Sequence, residues 1–391
     1  MFSLISMLVW LGFLEGQLTI QPIFLSPTLW HAHELSFGWA VGIVAGFLLT
    51  AIQNWTGIKA IQGSKLALIV SIWFTARVLF LLSVLSPSLA PLGQVAIVAD
   101  LLFLPIVGLF LIPYFKDPEL KIERLFYVFF ILITLGNALT YFSQDIDQAW
   151  LGIYLCLYTL VSIVLFIGGR VIPFFTEGTL TKSQPVTYPW VENGVFISST
   201  LFFLLSLSAR AAKIHMGMSE LGTPFFKISV CVLGLVAFGF NLKRLSGWFV
   251  KRIIKVPLLW ILHFGYLTLT SGFLLSSLTS YDYLPQAIAT HAFTLGALGL
   301  IIIGMISRVS LGHTGRRLYP TKLTVVSFVT MGLAFISRVL VPATFPATVT
   351  LATYRLSGLF WILSMILFLT QFSRILFTAR PKPKTIPITM T

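Results

Sequence analysis

The chain has 391 residues, of which 57% are hydrophobic and only 10% are charged, and its mean hydropathy is +0.95. No soluble domain of this length has such a composition, so the sequence indicates an integral membrane protein. The net charge of +14 would favour nucleic-acid binding in a soluble protein. Here the basic residues lie between hydrophobic segments, which gives them a topological role and argues against nucleic acid as a partner.

Twelve segments are apolar enough to cross a bilayer, which takes about 20 residues for a hydrocarbon core of roughly 30 Å. They cover residues 1–14, 28–53, 65–85, 92–115, 122–142, 149–172, 191–209, 222–242, 254–279, 284–307, 320–341 and 348–373. The first is short for a full crossing. No cleavable signal sequence is evident there, because no basic region precedes it and no small-residue cleavage site follows.

The distribution of Lys and Arg tests this count. If the N-terminus is cytoplasmic, twenty of the 26 basic residues fall in inner segments and three in outer segments. This asymmetry satisfies the positive-inside rule. We therefore predict an all-α integral membrane protein of about 12 transmembrane helices, with both termini cytoplasmic and residues 1–391 forming a single domain in contact with the lipid bilayer.

Functional groups must then lie among the costly polar side chains within helices. His31, His33 and Glu34 stand where the second helix begins, just after Ser26-Pro27, a typical cap and first-turn pair. The two histidines are two residues apart and should point about 200° away from each other, whereas His31 and Glu34 should share a face. Imidazole is the commonest metal ligand. A polar helix start at the outer interface is the alternative interpretation.

Two more histidines lie within later spans. His291 is predicted roughly 10 Å below the outer surface, in the same half of the membrane as His31 and His33, and His263 roughly 13 Å from the inner face. This difference in depth favours two neighbouring sites or a larger cofactor over one shared ion. Either histidine could instead bond a backbone carbonyl.

Arg77 and Asp100 lie 11 and 12 positions from the turn near Ser88 that joins the third and fourth helices. They should therefore reach the same depth and form an ion pair. Its role is either structural or functional, the latter by neutralising a haem propionate or relaying protons. Arg338 and Arg355 flank the last outer turn and are predicted to snorkel to the interface.

Two glycine- and arginine-containing segments are predicted at inner helix exits. Residues 168–176 end the sixth helix and residues 307–316 follow the tenth. The sequence contains no phosphate-binding loop, Cys-x-x-Cys pair or Gly-x-Ser-x-Gly elbow, which disfavours nucleotide-driven chemistry and hydrolysis.

Taken in order, several segments resemble the NnrS family of bacterial membrane proteins. They are His31-Ala32-His33-Glu34 with Phe37-Gly38, Ala45–Ala51 before Asn54-Trp55-Thr56-Gly57, Gly169–Thr176, His263-Phe264-Gly265-Tyr266, and His291-Ala292 leading to Arg308–Arg316. The resemblance implies a polytopic protein of the bacterial inner membrane that contains haem and copper and is associated with nitric oxide stress and denitrification. His313 falls within these motifs and His215 does not.

The favoured hypothesis is a haem- and copper-dependent protein that reduces, binds or detoxifies nitric oxide, with electrons from an unknown donor. In this scheme His31, His33 and His291 ligate metal near the outer face, and His263 supports or ligates a second position. Glu34 delivers protons as the catalytic carboxylate. The remaining cofactor-binding residues are Arg77, Asp100 and His313.

The alternative is a twelve-helix secondary transporter of a metal or small anion, using midplane polar groups such as Arg77, Asp100 and Asn137. A non-catalytic metal sensor or store is a third possibility. The absence of an internal repeat and the clustering of histidines toward one face favour a fixed site over transport.

Overall fold

The computed structural model describes residues 1–19, 26–116, 123–180, 184–216, 224–345, 347 and 350–381. Within these ranges the protein is helical and contains no strand. Twelve long helices follow one another: α1 (Phe2–Leu14), α2 (Pro27–Thr56), α3 (Ser64–Leu85), α4 (Leu92–Leu111), α5 (Leu125–Tyr141), α6 (Ile146–Thr179), α7 (Pro189–Met216), α8 (Pro224–Trp248), α9 (Pro257–Thr279), α10 (Gln286–His313), α11 (Lys322–Thr344) and α12 (Leu351–Leu376). Short 3-10 turns occupy Pro87–Leu89, Tyr114–Lys116 and Lys251–Lys255.

Each of the twelve predicted segments coincides with one of these helices. Ten are long and apolar enough to cross a membrane, whereas α1 and α5 have only 13 and 17 residues. The all-helical, multi-pass membrane fold is thus confirmed. The crossing of the bilayer by α1 and α5 and the cytoplasmic location of both termini stay predictions, and "outer" and "inner" below refer to that predicted orientation.

The two predicted helix exits at the inner end are wrong. Residues 168–176 lie within α6, which continues through Pro173 to Thr179, and residues 307–313 form the last turns of α10. Glycine and arginine do not end a helix by themselves, and a proline within a membrane helix is tolerated where neighbouring helices support the backbone. Both helices therefore extend beyond their predicted inner limits.

The helices pack mainly as neighbours in sequence, with α3 on α4, α5 on α6, α7 on α8 and α11 on α12. The most deeply buried are α2, α6, α9 and α10, while α1 packs on α12 and so joins the two ends of the chain. Large apolar side chains such as Leu109, Ile131 and Phe196 remain exposed on the outside of the bundle. A contiguous apolar exterior of this kind suits contact with lipid.

Two glycines bring α5 and α6 into close backbone contact. A Cβ atom added to Gly136 would lie 2.7 Å from the carbonyl oxygen of Gly152, and a Cβ on Gly152 would collide with Gly136 and Thr140. In a bilayer, where lipid tails are as apolar as leucine, such small residues allow helices to approach and gain packing energy. This contact fixes α6 against α5.

We expect Gly152→Val to lower the free energy of unfolding by about 1–3 kcal/mol or more, because the new side chain overpacks the contact between α5 and α6. Thermal unfolding of the detergent-solubilised protein measures the effect. Gly178→Val is the matched control, since Gly178 also lies in α6 but a Cβ there meets no atom within 4 Å. Equal losses in the two variants would contradict the packing argument.

Candidate functional site

A cavity of about 360 Å³ lies at the outer end of the bundle, between α1, α2, α6, α10, α11 and α12. Tryptophans including Trp10, Trp39 and Trp361 form much of its wall, and His31 and His291 face it from two different helices. The volume is in the range of about 300–1,000 Å³ that small-molecule and cofactor sites occupy. Two of the predicted metal ligands therefore share one cavity.

His31 is held by its neighbours but keeps a free nitrogen. Ser26 caps α2 by accepting a hydrogen bond of 3.2 Å from the Leu29 amide, so that His31 lies in the first turns of the helix. The imidazole stacks on Trp10 of α1 with ring centroids 4.5 Å apart. Its Nδ1 is buried and has no hydrogen-bond partner among the described residues. A buried polar atom without a partner is unusual and is explained if a ligand completes it.

His291 presents its second nitrogen to the same space. Its Nδ1 lies 2.7 Å from the carbonyl oxygen of Ala287, and because a carbonyl only accepts, Nδ1 carries the hydrogen. Nε2 therefore retains its lone pair. Metal-bound histidines are commonly oriented in this way, with the other ring nitrogen donating to a backbone carbonyl.

The backbone is unusual where α2, α10 and α11 line the cavity. Each of these helices contains a π-helical segment, namely Glu34–Ala40, Ala292–Gly299 and Ile336–Leu340. The first two begin just after His31 and His291, and the third contains Arg338, which also lines the cavity. π-helical turns are rare and frequently occur at functional sites. The backbone conformation therefore indicates a functional site at this cavity, independently of the side chains that line it.

His33 lies in a different place. Its Nδ1 donates to Glu34 Oε1 at 2.9 Å, and its Nε2 is 3.0 Å from Asn137 Oδ1 and 2.8 Å from the hydroxyl oxygen of Tyr141. Both ring nitrogens are thus engaged, and the side chain is fully buried away from the cavity. The grouping of His33 with His31 and His291 is therefore corrected. The predicted angle of about 200° between positions 31 and 33 is the physical reason.

The expectation that Glu34 shares a face with His31 is also wrong. Glu34 begins the π-helical segment, and its Oε1 accepts hydrogen bonds from His33 and from Arg77 Nη1 at 2.9 Å. The hydrogen bond to Arg77 holds the carboxylate toward α3. Glu34 does not line the cavity, so its catalytic role stays a prediction.

The predicted ion pair between Arg77 and Asp100 is confirmed, and it is part of a larger buried network. Arg77 bridges Glu34 and Asp100, while Asn137 Nδ2 and the Tyr141 hydroxyl each donate to Asp100 Oδ2 at 2.6 Å. These residues come from α2, α3, α4 and α5. Both ring nitrogens of His33 contact this network, Nδ1 through Glu34 and Nε2 through Asn137 and Tyr141.

The remaining predicted residues lie elsewhere. His263 donates from Nδ1 to the Leu259 carbonyl at 2.9 Å and keeps a buried Nε2 without a described partner, but it does not line the outer cavity. His313 is exposed at the inner end of α10, beside a larger cavity of about 670 Å³ that Gln53 and Asn54 also line. The cofactor roles predicted for Arg77, Asp100, His263 and His313 remain predictions.

Sequence reasoning missed Arg338 and the tryptophans of the cavity. Arg338 was expected to snorkel, but it is half-buried, faces the cavity and lies 4.0 Å from the centre of the Tyr354 ring. Trp39 and Trp361 contact each other edge to face with centroids 5.0 Å apart. An arginine within a predicted span is a usable signal, whereas tryptophans are too common in membrane proteins to indicate a site.

A second buried cluster explains one glycine of the segment 168–176. Arg244 pairs with Glu192 and donates to the Leu165 carbonyl and the Tyr266 hydroxyl at 2.9 and 3.1 Å. A Cβ atom on Gly169 would overlap the Arg244 guanidinium. The glycine is therefore required by the close approach of α8 to α6, and this cluster is structural.

We expect Arg77→Met to destabilise the protein by about 3–5 kcal/mol, because it leaves Glu34 and Asp100 buried without their shared cation. Unfolding of the solubilised protein measures this loss, and adding Glu34→Gln and Asp100→Asn to the variant should recover part of it. Arg170→Met is the control, since the Arg170 side chain is 47% exposed and its pairing with Glu123 contributes at most about 1 kcal/mol. A mild effect of Arg77→Met would show that the network is not essential to the fold.

The family model for the NnrS protein matches residues 1–380. No curated protein is similar enough to the chain to count as a match. The family is generally linked to haem and copper. Since the match covers nearly the whole chain and agrees with its many apolar helices, the chain belongs to the NnrS family of multi-pass membrane proteins related to nitric oxide.

Proposed function

We propose that this protein binds haem in the outer cavity, where His31 and His291 would hold the iron, and that it binds and removes nitric oxide there, which would require one of the two imidazoles to give up its place on the iron. One observation carries the proposal. Two imidazoles from different helices face one cavity, one with a buried nitrogen that has no partner and the other with its Nδ1 hydrogen committed to the Ala287 carbonyl.

Haem suits this donor set better than a metal held by protein alone. Within the described part of the chain, no group of three or more His, Cys, Asp or Glu side chains could hold a metal ion. A porphyrin supplies its own equatorial nitrogens and needs only one or two axial ligands from the protein. The tryptophans of the wall offer flat apolar surfaces against which a macrocycle can stack.

Copper does not fit the described residues in the same way. A blue-copper site uses two histidines and a cysteine, and no such group of three exists in the described ranges. His263 has one free ring nitrogen but belongs to no such cluster. We therefore assign no residue to copper.

The chain's own residues prepare the cavity for a small apolar gas. Bound haem would supply the iron that binds nitric oxide and exchanges electrons with it. Trp39, Trp361 and Leu298 give the cavity an apolar lining. Nitric oxide dissolves in the bilayer and needs no polar channel, whereas its reduction also requires protons and an electron donor.

The buried network acts on the site through α2. His33 and Glu34 are anchored to Arg77, Asn137 and, through Arg77, to Asp100. Since His31 lies two and three residues before them on the same helix, this anchoring sets the direction in which its imidazole points. We therefore propose that Arg77 and Asp100 position the site and do not contact the cofactor.

The distribution of basic residues supports a location for the protein and its haem. We place the protein in the bacterial inner membrane with both termini cytoplasmic, because the basic residues follow the positive-inside rule in that orientation. The haem would then lie in the outer half of the membrane. Its role would be protection against nitrosative stress or participation in denitrification.

We expect His31→Ala and His291→Ala to lower haem affinity by about 10-fold or more, since even supporting groups of a metal site contribute on that scale. The absorption spectrum of protein purified from haem-supplied cells gives the measurement, oxidised and reduced, with and without nitric oxide. His215→Ala is the control, because His215 is exposed at the end of α7.

A Soret band that shifts with nitric oxide in the wild type and in His215→Ala, and is lost in the other two variants, is the expected result. A colourless wild-type protein from haem-supplied cells would contradict the proposal and favour the transporter. Full haem content in both cavity variants would place the haem elsewhere.

A further inference from the structure

Within the described ranges, Arg338 is a charged side chain without a carboxylate partner. It lines the cavity of His31 and His291, and none of the described residues that line this cavity is Asp or Glu. Among the described residues Arg338 forms no ion pair, and its contact is with the Tyr354 ring. The cavity therefore holds a guanidinium but no carboxylate.

Three other arginines of the bundle are paired with carboxylates. Arg77 bridges Glu34 and Asp100, Arg244 pairs with Glu192, and Arg355 pairs with Glu15. Burial of a charge without a partner is costly. Arg308 has no described carboxylate partner but donates to the Thr179 hydroxyl. Arg338 also lacks a carboxylate partner among the described residues, and it faces a ligand-sized space. An anionic ligand would remove the cost.

The geometry favours a carboxylate as this anion. A guanidinium presents donors in a planar fork that matches a carboxylate in two parallel hydrogen bonds. The Tyr354 ring, 4.0 Å from the guanidinium carbon, fixes the plane of that fork by a cation–π contact. Arg338 also belongs to a π-helical segment of α11, and it lines the same cavity as the two imidazoles.

We propose that Arg338 binds a propionate carboxylate of the haem, and so determines which edge of the porphyrin faces α11. This inference rests on the proposed function, because it takes haem as the occupant of the cavity. Arg338 is a binding residue in this account and takes no part in electron or proton transfer.

The test changes the ligand before it changes the protein. Apoprotein from haem-depleted cells is titrated in detergent with ferric haem and with its dimethyl ester, in which both carboxylates are blocked, and the Soret band reports binding. His291→Ala corrects for partition into the micelle. Wild-type protein should bind haem roughly tenfold or more tightly than the diester, as expected for hydrogen bonds to a charged group.

Variants then assign the effect to one side chain. Arg338→Met and Arg338→Gln should bind haem and the diester equally. Arg338→Lys should restore part of the preference for haem over the diester. Arg355→Met is the matched control, since Arg355 lies outside the cavity and pairs with Glu15. It should keep the full preference.

Each outcome decides a separate question. Equal binding of haem and diester by wild-type protein overturns the role of Arg338 while haem binding itself stands. Binding of neither ligand overturns the proposed function. A third outcome is that the diester binds as well as haem while acetate or nitrate stabilises the wild-type apoprotein, but not Arg338→Met, against unfolding. Arg338 would then bind a small anion, and the inference would be wrong. The wild-type comparison does not depend on the folding of any variant.

Discussion

The bridge that Arg77 makes between Glu34 and Asp100 is the interaction on which the candidate site depends. It ties α2 to α3 and α4 through buried charges, and His33, Asn137 and Tyr141 add hydrogen bonds to Glu34 and Asp100. Because His33 and Glu34 are fixed in this way, α2 cannot rotate. His31 is consequently directed to the other side of the helix, into the cavity beside His291.

The membrane environment makes the hydrogen-bonding state of each buried polar group informative. In hydrocarbon every polar group needs a partner within the protein, so a network that satisfies its members is structural by default and an unpartnered group points to a ligand. The Arg244 cluster and most of the Arg77 network belong to the first kind. His31 Nδ1 belongs to the second kind, Arg338 has no carboxylate partner among the described residues, and both residues line one cavity.

Much of the fold could be predicted from the sequence because apolar length is a strong signal. All twelve segments correspond to helices, and hairpin counting placed Arg77 beside Asp100. The site could be predicted only in part. Helical spacing separated His31 from His33, but no local pattern reports a π-helical turn, and the hydrogen bond from Arg77 to Glu34 joins residues 43 positions apart in the sequence. The prediction that Arg338 reaches the membrane interface was wrong, because depth in the membrane does not report the direction of a side chain. Arg338 instead contacts the Tyr354 ring of α12.

The most direct test of this account is to locate the iron in the haem-loaded protein by anomalous scattering at the iron edge. The account predicts a single strong peak in the outer cavity, within bonding distance of Nε2 of His291 and of a ring nitrogen of His31. A peak beside His263 or His313, or no peak in protein that carries a Soret band at full occupancy, would contradict it.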